Sequence, residues 1–141
     1  YFTLIHAVDS LRLARFMDTV AQETGKRPRI LLEVNVGNED SKFGFFPETL
    51  EKEWPELSSL NHLEIAGLMC IPPPVENPEE ARPYFRRLRE LKEVLSGSGG
   101  ATLTELSMGM SHDFETAIEE GATLVRVGTA IFGGRSYAPA S

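Results

Sequence analysis

Two kinds of hydrophobic pattern alternate along the chain. Short runs of consecutive apolar residues, the mark of strands covered on both faces, are separated by stretches in which apolar residues recur every three or four positions, the mark of amphipathic helices. The first strand is predicted at residues 4–8. Ser10 then caps a helix carrying Leu11, Leu13, Ala14, Met17, Val20 and Ala21, which Gly25 ends. Residues 29–36 are a nearly unbroken apolar run and the second predicted strand, followed by a polar loop over 37–44. Pro47 opens a helical stretch with Leu50 and Trp54; Pro55 supplies no amide hydrogen and predicts a kink or an early stop, with Leu57 and Leu60 on a further turn. Residues 63–70 form the third strand, closed by Ile71 and three prolines that cannot donate to a ladder. A long helix with Ala81, Tyr84, Phe85, Leu88, Leu91 and Leu95 on one stripe follows, its regular part starting near Pro83. After a flexible turn at 96–100, residues 104–108 make a fourth strand, 113–120 a short helix stopped by Gly121, and 124–128 a fifth strand; the tail from Thr129 to Ser141 holds one short helical turn at most.

Strand and helix alternating at intervals of about 30 residues predict βαβ units and a parallel sheet, so the fold class is α/β. A (β/α)8 barrel uses about 31 residues per unit, so this length holds between four and five units: either a small doubly wound sheet or part of a barrel. The chain has 141 residues, 41% of them hydrophobic and 25% charged, the composition of one globular domain spanning residues 1–141. A net charge of −7 argues against a nucleic-acid partner. Cys70 is the one cysteine and His6, His62 and His112 the only histidines, which excludes an intramolecular disulfide and leaves no metal-ligand spacing. No apolar run approaches the roughly 18 residues of a membrane helix and no secretory pattern opens the sequence, so a cytoplasmic, membrane-free protein is expected.

In parallel α/β folds the working residues collect at the carboxyl ends of strands. Here those ends offer Asp9, Glu33 with Asn35, Met69 with Cys70, Ser107 with Gly109, Met110 and Ser111, and Arg126 with Gly128 and Thr129. Strand parity puts Glu33 with Asn35, Ser107 with Gly109, and Arg126 with Gly128 on common sides. Ser111, His112 and Asp113 are consecutive and so cannot converge as a catalytic triad, and Gly109-Met-Ser-His-Asp113 fails the nucleophile-elbow pattern; capping of the next helix by Ser111 or Asp113 is expected instead. The run from Gly128 to Ser136 misses the P-loop pattern. Two glycine turns at the ends of consecutive strands, around Gly109 and Gly128, nevertheless suit an anion, since backbone amides approach closely there. Arg82, Arg86, Arg87, Arg89 and Lys92 read as a solvated helix face, His6 as an interior histidine, Cys70 as an inert small hydrophobe, and Lys42, among Glu39, Asp40 and glycines, as a solvated amine rather than an imine former.

The run from Leu106 to Arg135 (LSMGMSHDFETAIEEGATLVRVGTAIFGGR) resembles the YggS-type, or PROSC, family of pyridoxal phosphate homeostasis proteins, and Gly67-Leu-Met-Cys-Ile-Pro-Pro73, Val34-Asn-Val36 with Asp40-Ser-Lys-Phe-Gly44, and His6-Ala-Val-Asp9 fall in that family's order. The resemblance implies a TIM-barrel type (β/α)8 fold shared with the amino-terminal domain of alanine racemase, here incomplete with about five parallel strands. It further implies pyridoxal 5′-phosphate (PLP) as cofactor at the carboxyl ends of the strands, with Ser107, Ser111, Gly128 and Thr129 around the phosphate, Arg126 facing the pyridine nitrogen, and Asn35, Met69 and Met110 lining the site. The family's imine-forming lysine belongs to an early strand that this chain lacks, so no catalytic residue is expected and the protein reads as a non-catalytic PLP carrier of vitamin B6 homeostasis. The alternatives are an alanine-racemase-like amino-acid racemase and a PLP-independent phosphate-binding barrel enzyme. Partners implied are PLP, the apo-enzymes that receive it, and other copies of the chain paired through open sheet edges.

Overall fold

The computed structural model describes residues 5–39, 44–97 and 103–126. Five strands, β1 (Ile5–Val8), β2 (Arg29–Glu33), β3 (Glu64–Met69), β4 (Glu105–Met110) and β5 (Leu124–Arg126), form one sheet in which every pairing is parallel and the spatial order is the sequence order. Between them lie α1 (Leu11–Thr24), α2 (Pro47–Leu57), α3 (Arg82–Gly97) and α4 (Phe114–Glu119). A doubly wound sheet reverses its strand order at a switch point and places helices on both faces. Here the order never reverses, and successive helices touch in sequence, α1 to α2, α2 to α3 and α3 to α4, so one side of the sheet carries them all. This decides between the two architectures in favour of the arc of a (β/α)8-type barrel.

The register gives each face its character. Val8, Leu32, Leu68 and Leu106 stand side by side across four strands, all wholly buried beneath the helices. The opposite face carries the rows Ala7, Leu31, Gly67, Glu105 and, nearer the carboxyl ends, Glu33, Met69, Ser107. Helix stripes complete the core: Ala14 and Ala21 of α1, Leu50, Trp54 and Leu57 of α2, Phe85, Leu88, Leu91 and Leu95 of α3.

Most ends follow their sequence signals. Ser10 Oγ accepts from the amide of Leu13 at 3.1 Å, and Gly25 closes α1 in the left-handed conformation at φ +71°. Asn77 and Glu80 form a reciprocal capping box on a 3-10 turn, Pro78–Ala81, that runs straight into α3. Three details depart from expectation. Pro55 lies inside α2, which continues to Leu57, beyond an early stop. The second strand ends at Glu33, short of 36, although Val34 N still donates to Met69 O at 2.9 Å; beyond it Phe45 returns alongside, Phe45 N donating to Glu33 O and Asn35 N to Phe45 O, both at 2.8 Å. The fourth strand reaches Met110, with a bulge between Ser107 and Met110 where β4 spends three steps against two in β5.

The arginine face of α3 is the largest departure. It is not simply solvated, because Arg82, Arg86 and Arg89 converge on Glu120 at the end of α4. Arg82 Nη1 is 2.8 Å from Glu120 Oε2, Arg89 Nη1 2.9 Å from Oε1, and Arg86 Nη2 3.4 Å from Oε2, while Arg82 also holds Glu79 and Glu119. Glu120 is only 5% exposed, and its carboxyl is held below the usual carboxylate range, first by the hydrogen bond from Arg82 and then by Arg86 and Arg89. A carboxyl whose folded value is depressed contributes stability that is present above its unfolded pKa of about 4.3 and is lost as pH falls through the folded value. Thermal melts of the chain and of Glu120→Gln are therefore expected to differ most at neutral pH and to converge below about pH 4; a difference that is constant from pH 7 to 3 contradicts this assignment.

Candidate functional site

The carboxyl ends of β3, β4 and β5 bring together the residues singled out by strand parity. Arg126, the last residue of β5, reaches across two strands: its Nη1 donates to Ser107 Oγ at 2.6 Å and its Nη2 to the carbonyl of Cys70 at 2.8 Å. Its Nε is buried and has no hydrogen-bond partner among the described residues. Burial pushes the guanidinium down from its ordinary pKa, against the neighbouring Cys70, Glu33 and Asp113; it still titrates far above neutrality as arginine does in proteins. Cys70 is wholly buried, and that burial pushes its thiol up to about 12 although Arg126 pulls the other way, so it stays protonated, in keeping with an inert small side chain.

Ser107 thus stands at the arginine. Its oxygen accepts from Arg126 and its own hydroxyl hydrogen remains to donate. Met69 is opposite Ser107 in the ladder and Glu33 opposite Met69. Asn35 is buried, and both ends of its amide hold the loop that follows: Nδ2 donates to Glu39 O at 2.6 Å and Oδ1 accepts from Glu39 N at 3.0 Å. Met110 and Leu124 are each 36% exposed, apolar groups at the rim beside Arg126. Gly128, Thr129 and Lys42 lie outside the described residues, as does the side chain of His6.

The loop after β4 is built on Gly109 and Asp113. Gly109 has φ +105°, and a Cβ there would lie 2.7 Å from the Cβ of Ala117, so only glycine lets the strand end bend this close under α4. Asp113 occupies the amino-terminal cap position of α4 but does not bond the helix; its Oδ1 accepts from Met110 N at 2.7 Å. The expected helix capping by Asp113 is corrected accordingly: its carboxylate ties the loop to the strand behind it. His112 Nε2 lies 3.5 Å from Asp113 Oδ2, a contact between neighbours rather than part of a triad. No group of three or more His, Cys, Asp or Glu able to hold a metal occurs among the described residues, and no helix among them is long and apolar enough to cross a membrane. A groove of about 400 Å3 between the starts of α1 and α2, lined by Asp9, Arg12, Arg15, Phe46 and Glu53 among others, shares no residue with the Arg126 site.

The backbone carbonyl of Cys70 as the second anchor of Arg126, and the backward bond of Asp113, are functional parts that sequence reasoning missed. A carbonyl carries no side-chain signal, whereas an aspartate three residues after Met110 is a local turn signal that was available.

The fold and this rim define a class: an α/β barrel segment that presents a fixed cation bonded to a serine, beside a turn built on Gly109, at the carboxyl ends of its strands. The chain belongs to the family of alanine racemase amino-terminal domains, whose model matches residues 1–136. It is 49% identical over 134 residues to the pyridoxal phosphate homeostasis protein of Aquifex aeolicus, covering 95% of this chain and 59% of that protein, and 40% identical to the protein of the same name from Synechocystis, covering 95% and 62%. Among solved structures it is similar to PipY of Synechococcus elongatus with PLP bound, at a TM-score of 0.83 and 40% identity, covering 94% of this chain and 61% of PipY. An alanine racemase from Clostridium difficile matches in fold at a TM-score of 0.69 and 16% identity. The chain therefore spans about three-fifths of the length of the curated relatives it matches.

Proposed function

We propose that this chain forms the phosphate- and ring-binding side of a PLP site and acts in vitamin B6 homeostasis as a carrier of PLP rather than as a catalyst. The observation that carries the reading is Arg126: a fixed guanidinium, tied at both terminal nitrogens, with a buried Nε–H that has no partner among the described residues, beside an apolar rim. A buried donor without a partner costs about 1–3 kcal/mol, and a ring nitrogen acting as acceptor removes that cost. The relatives named for pyridoxal phosphate homeostasis, and PipY with PLP bound, support this choice of ligand.

PLP supplies an electron-withdrawing pyridine ring, whose strength as an electron sink rises when its nitrogen is protonated. Arg126 donates a hydrogen bond to that nitrogen and has no proton to give up at neutral pH, so the nitrogen stays unprotonated and carbanion chemistry is not promoted. Ser107 fixes the guanidinium. Ser111, with Gly128 and Thr129, takes the phosphate, and Met69, Met110 and Asn35 bound the cleft. The reading extends to apo-enzymes as recipients of PLP in the cytoplasm, and to pairing between chains along β1 and β5, each of which has one strand neighbour among the described residues.

Titration with PLP, followed in the visible spectrum, is expected to show a saturable change at one PLP per chain. Borohydride reduction and intact mass measurement should then show no stoichiometric phosphopyridoxyl adduct. An unchanged spectrum overturns the PLP reading, and a single adduct on Lys42 overturns the reading that PLP is held without an imine to this chain.

A further inference from the structure

We propose that Glu120, gripped by Arg82, Arg86 and Arg89, is a positioning residue for the binding rim: it sets the place of α4 and, through α4, of the loop Met110–His112 and of Arg126. The inference deepens the PLP reading and rests on it for the identity of the ligand, but its mechanical part stands on this chain alone. With six residues, α4 is far too short to hold a helical conformation by itself. Its position comes from what fixes its two ends. At the near end, Gly109 passes under Ala117 and Asp113 binds the amide of Met110. At the far end, a carboxylate lies where the helix dipole is unfavourable to it, and three guanidiniums spaced along one face of α3 offset that cost.

The chain leaving this grip runs directly into the site. Gly121 turns at φ +105°, with the stem of Arg89 within van der Waals reach of the position a Cβ would take. Ala122 N donates to Ala117 O at 3.0 Å and Thr123 N to Leu106 O at 2.9 Å, while Thr123 Oγ1 accepts from Leu106 N at 2.9 Å. Those bonds set the register of β5 on β4, and hence where Arg126 meets Ser107. Releasing Glu120 therefore loosens both the loop that precedes α4 and the strand that follows it. None of these bonds involves β2 or β3.

The test compares the full chain with Glu120→Gln, Glu120→Asp and Arg86→Gln by amide hydrogen exchange and by PLP titration. Arg86 is half exposed and makes the longest of the three contacts, so its variant loosens the grip where Glu120→Gln fails to fold. Exchange at 110–112 and 124–126 is expected to quicken about tenfold in Glu120→Gln, and severalfold in Arg86→Gln, in each case well beyond the smaller, stability-linked change in β2 and β3. Glu120→Asp should recover most of the loss. PLP affinity should fall about five- to tenfold in Glu120→Gln. A uniform quickening across the whole sheet overturns the proposal, because it marks simple destabilisation, and so does rim exchange equal to that of the unaltered chain. Local quickening in a chain that binds no PLP supports the mechanical inference while overturning the functional reading.

Discussion

Gly67→Ala is expected to leave no cooperatively folded chain. Gly67 lies in the central strand β3, paired with Glu105 of β4, and a Cβ there would run into the Glu105 carbonyl oxygen and sit 2.6 Å from its carbon. Both are backbone atoms that cannot swing aside. Relief requires β3 and β4 to separate, which breaks the bonds from Thr104 N to Ala66 O and from Cys70 N to Ser107 O and opens the core row at Leu68 and Leu106. Overpacking with backbone displacement costs about 3 kcal/mol or more, a large part of the roughly 5–15 kcal/mol by which domains are stable. Gly97→Ala is the control, since nothing lies within 4 Å of its added carbon and the change is worth a few tenths of a kcal/mol either way. Melts followed by circular dichroism and Trp54 fluorescence check this; a Gly67→Ala chain that melts within a few degrees of the parent refutes the close approach.

Arg126→Glu and Ser111→Ala are expected to separate the two ends of the ligand. The first removes the donors to Ser107 and Cys70 and sets a carboxylate near Glu33 and Asp113, both of which already act on Arg126 electrostatically. Losing a charge-assisted contact costs about 1.5–3 kcal/mol, a weakening on the order of ten- to a hundredfold. The absorption of bound PLP should shift as well, because the partner of the ring nitrogen has changed. Ser111→Ala should weaken binding with the spectrum unaltered. Equal losses with identical spectra in both variants would assign Arg126 and Ser111 to the same part of the ligand, contrary to the proposed division.

How much of this was legible beforehand depended on whether the signal was local. Ser10, Gly25 and Gly121 mark their helix ends by their own chemistry, and the apolar runs placed all five strands, because each is a statement about a residue and its near neighbours. The barrel arc itself rested on unit length and resemblance; the strand order that decides it is a long-range property. Strand parity set Ser107 beside Gly109 and Arg126 beside Gly128, each within its own strand. It could not show that Ser107 and Arg126 bond directly, since a bulge between Ser107 and Met110 resets the register of β5 on β4. The arginines of α3 were misread for a related reason. Their spacing shows that Arg82, Arg86 and Arg89 share a face, but the carboxylate that occupies that face comes from more than 30 residues away. Asn35 is marked by its place at a strand end, and the two bonds by which its amide also clamps Glu39 carry no signal in the sequence.

Cys70 is the only thiol in the sequence, and it lies wholly buried while its own carbonyl accepts from Arg126. A thiol held protonated and out of solvent reacts only in the intervals when its cover lifts. Its rate of modification is thus a clock for the opening of the rim, proportional to the open population and, once reaction outpaces reclosing, equal to the opening rate. The same residue ties that clock to the cation of the site, so a ligand seated on Arg126 slows it, and any event that pulls β5 away from β3 speeds it, without a label having to be introduced anywhere in the chain.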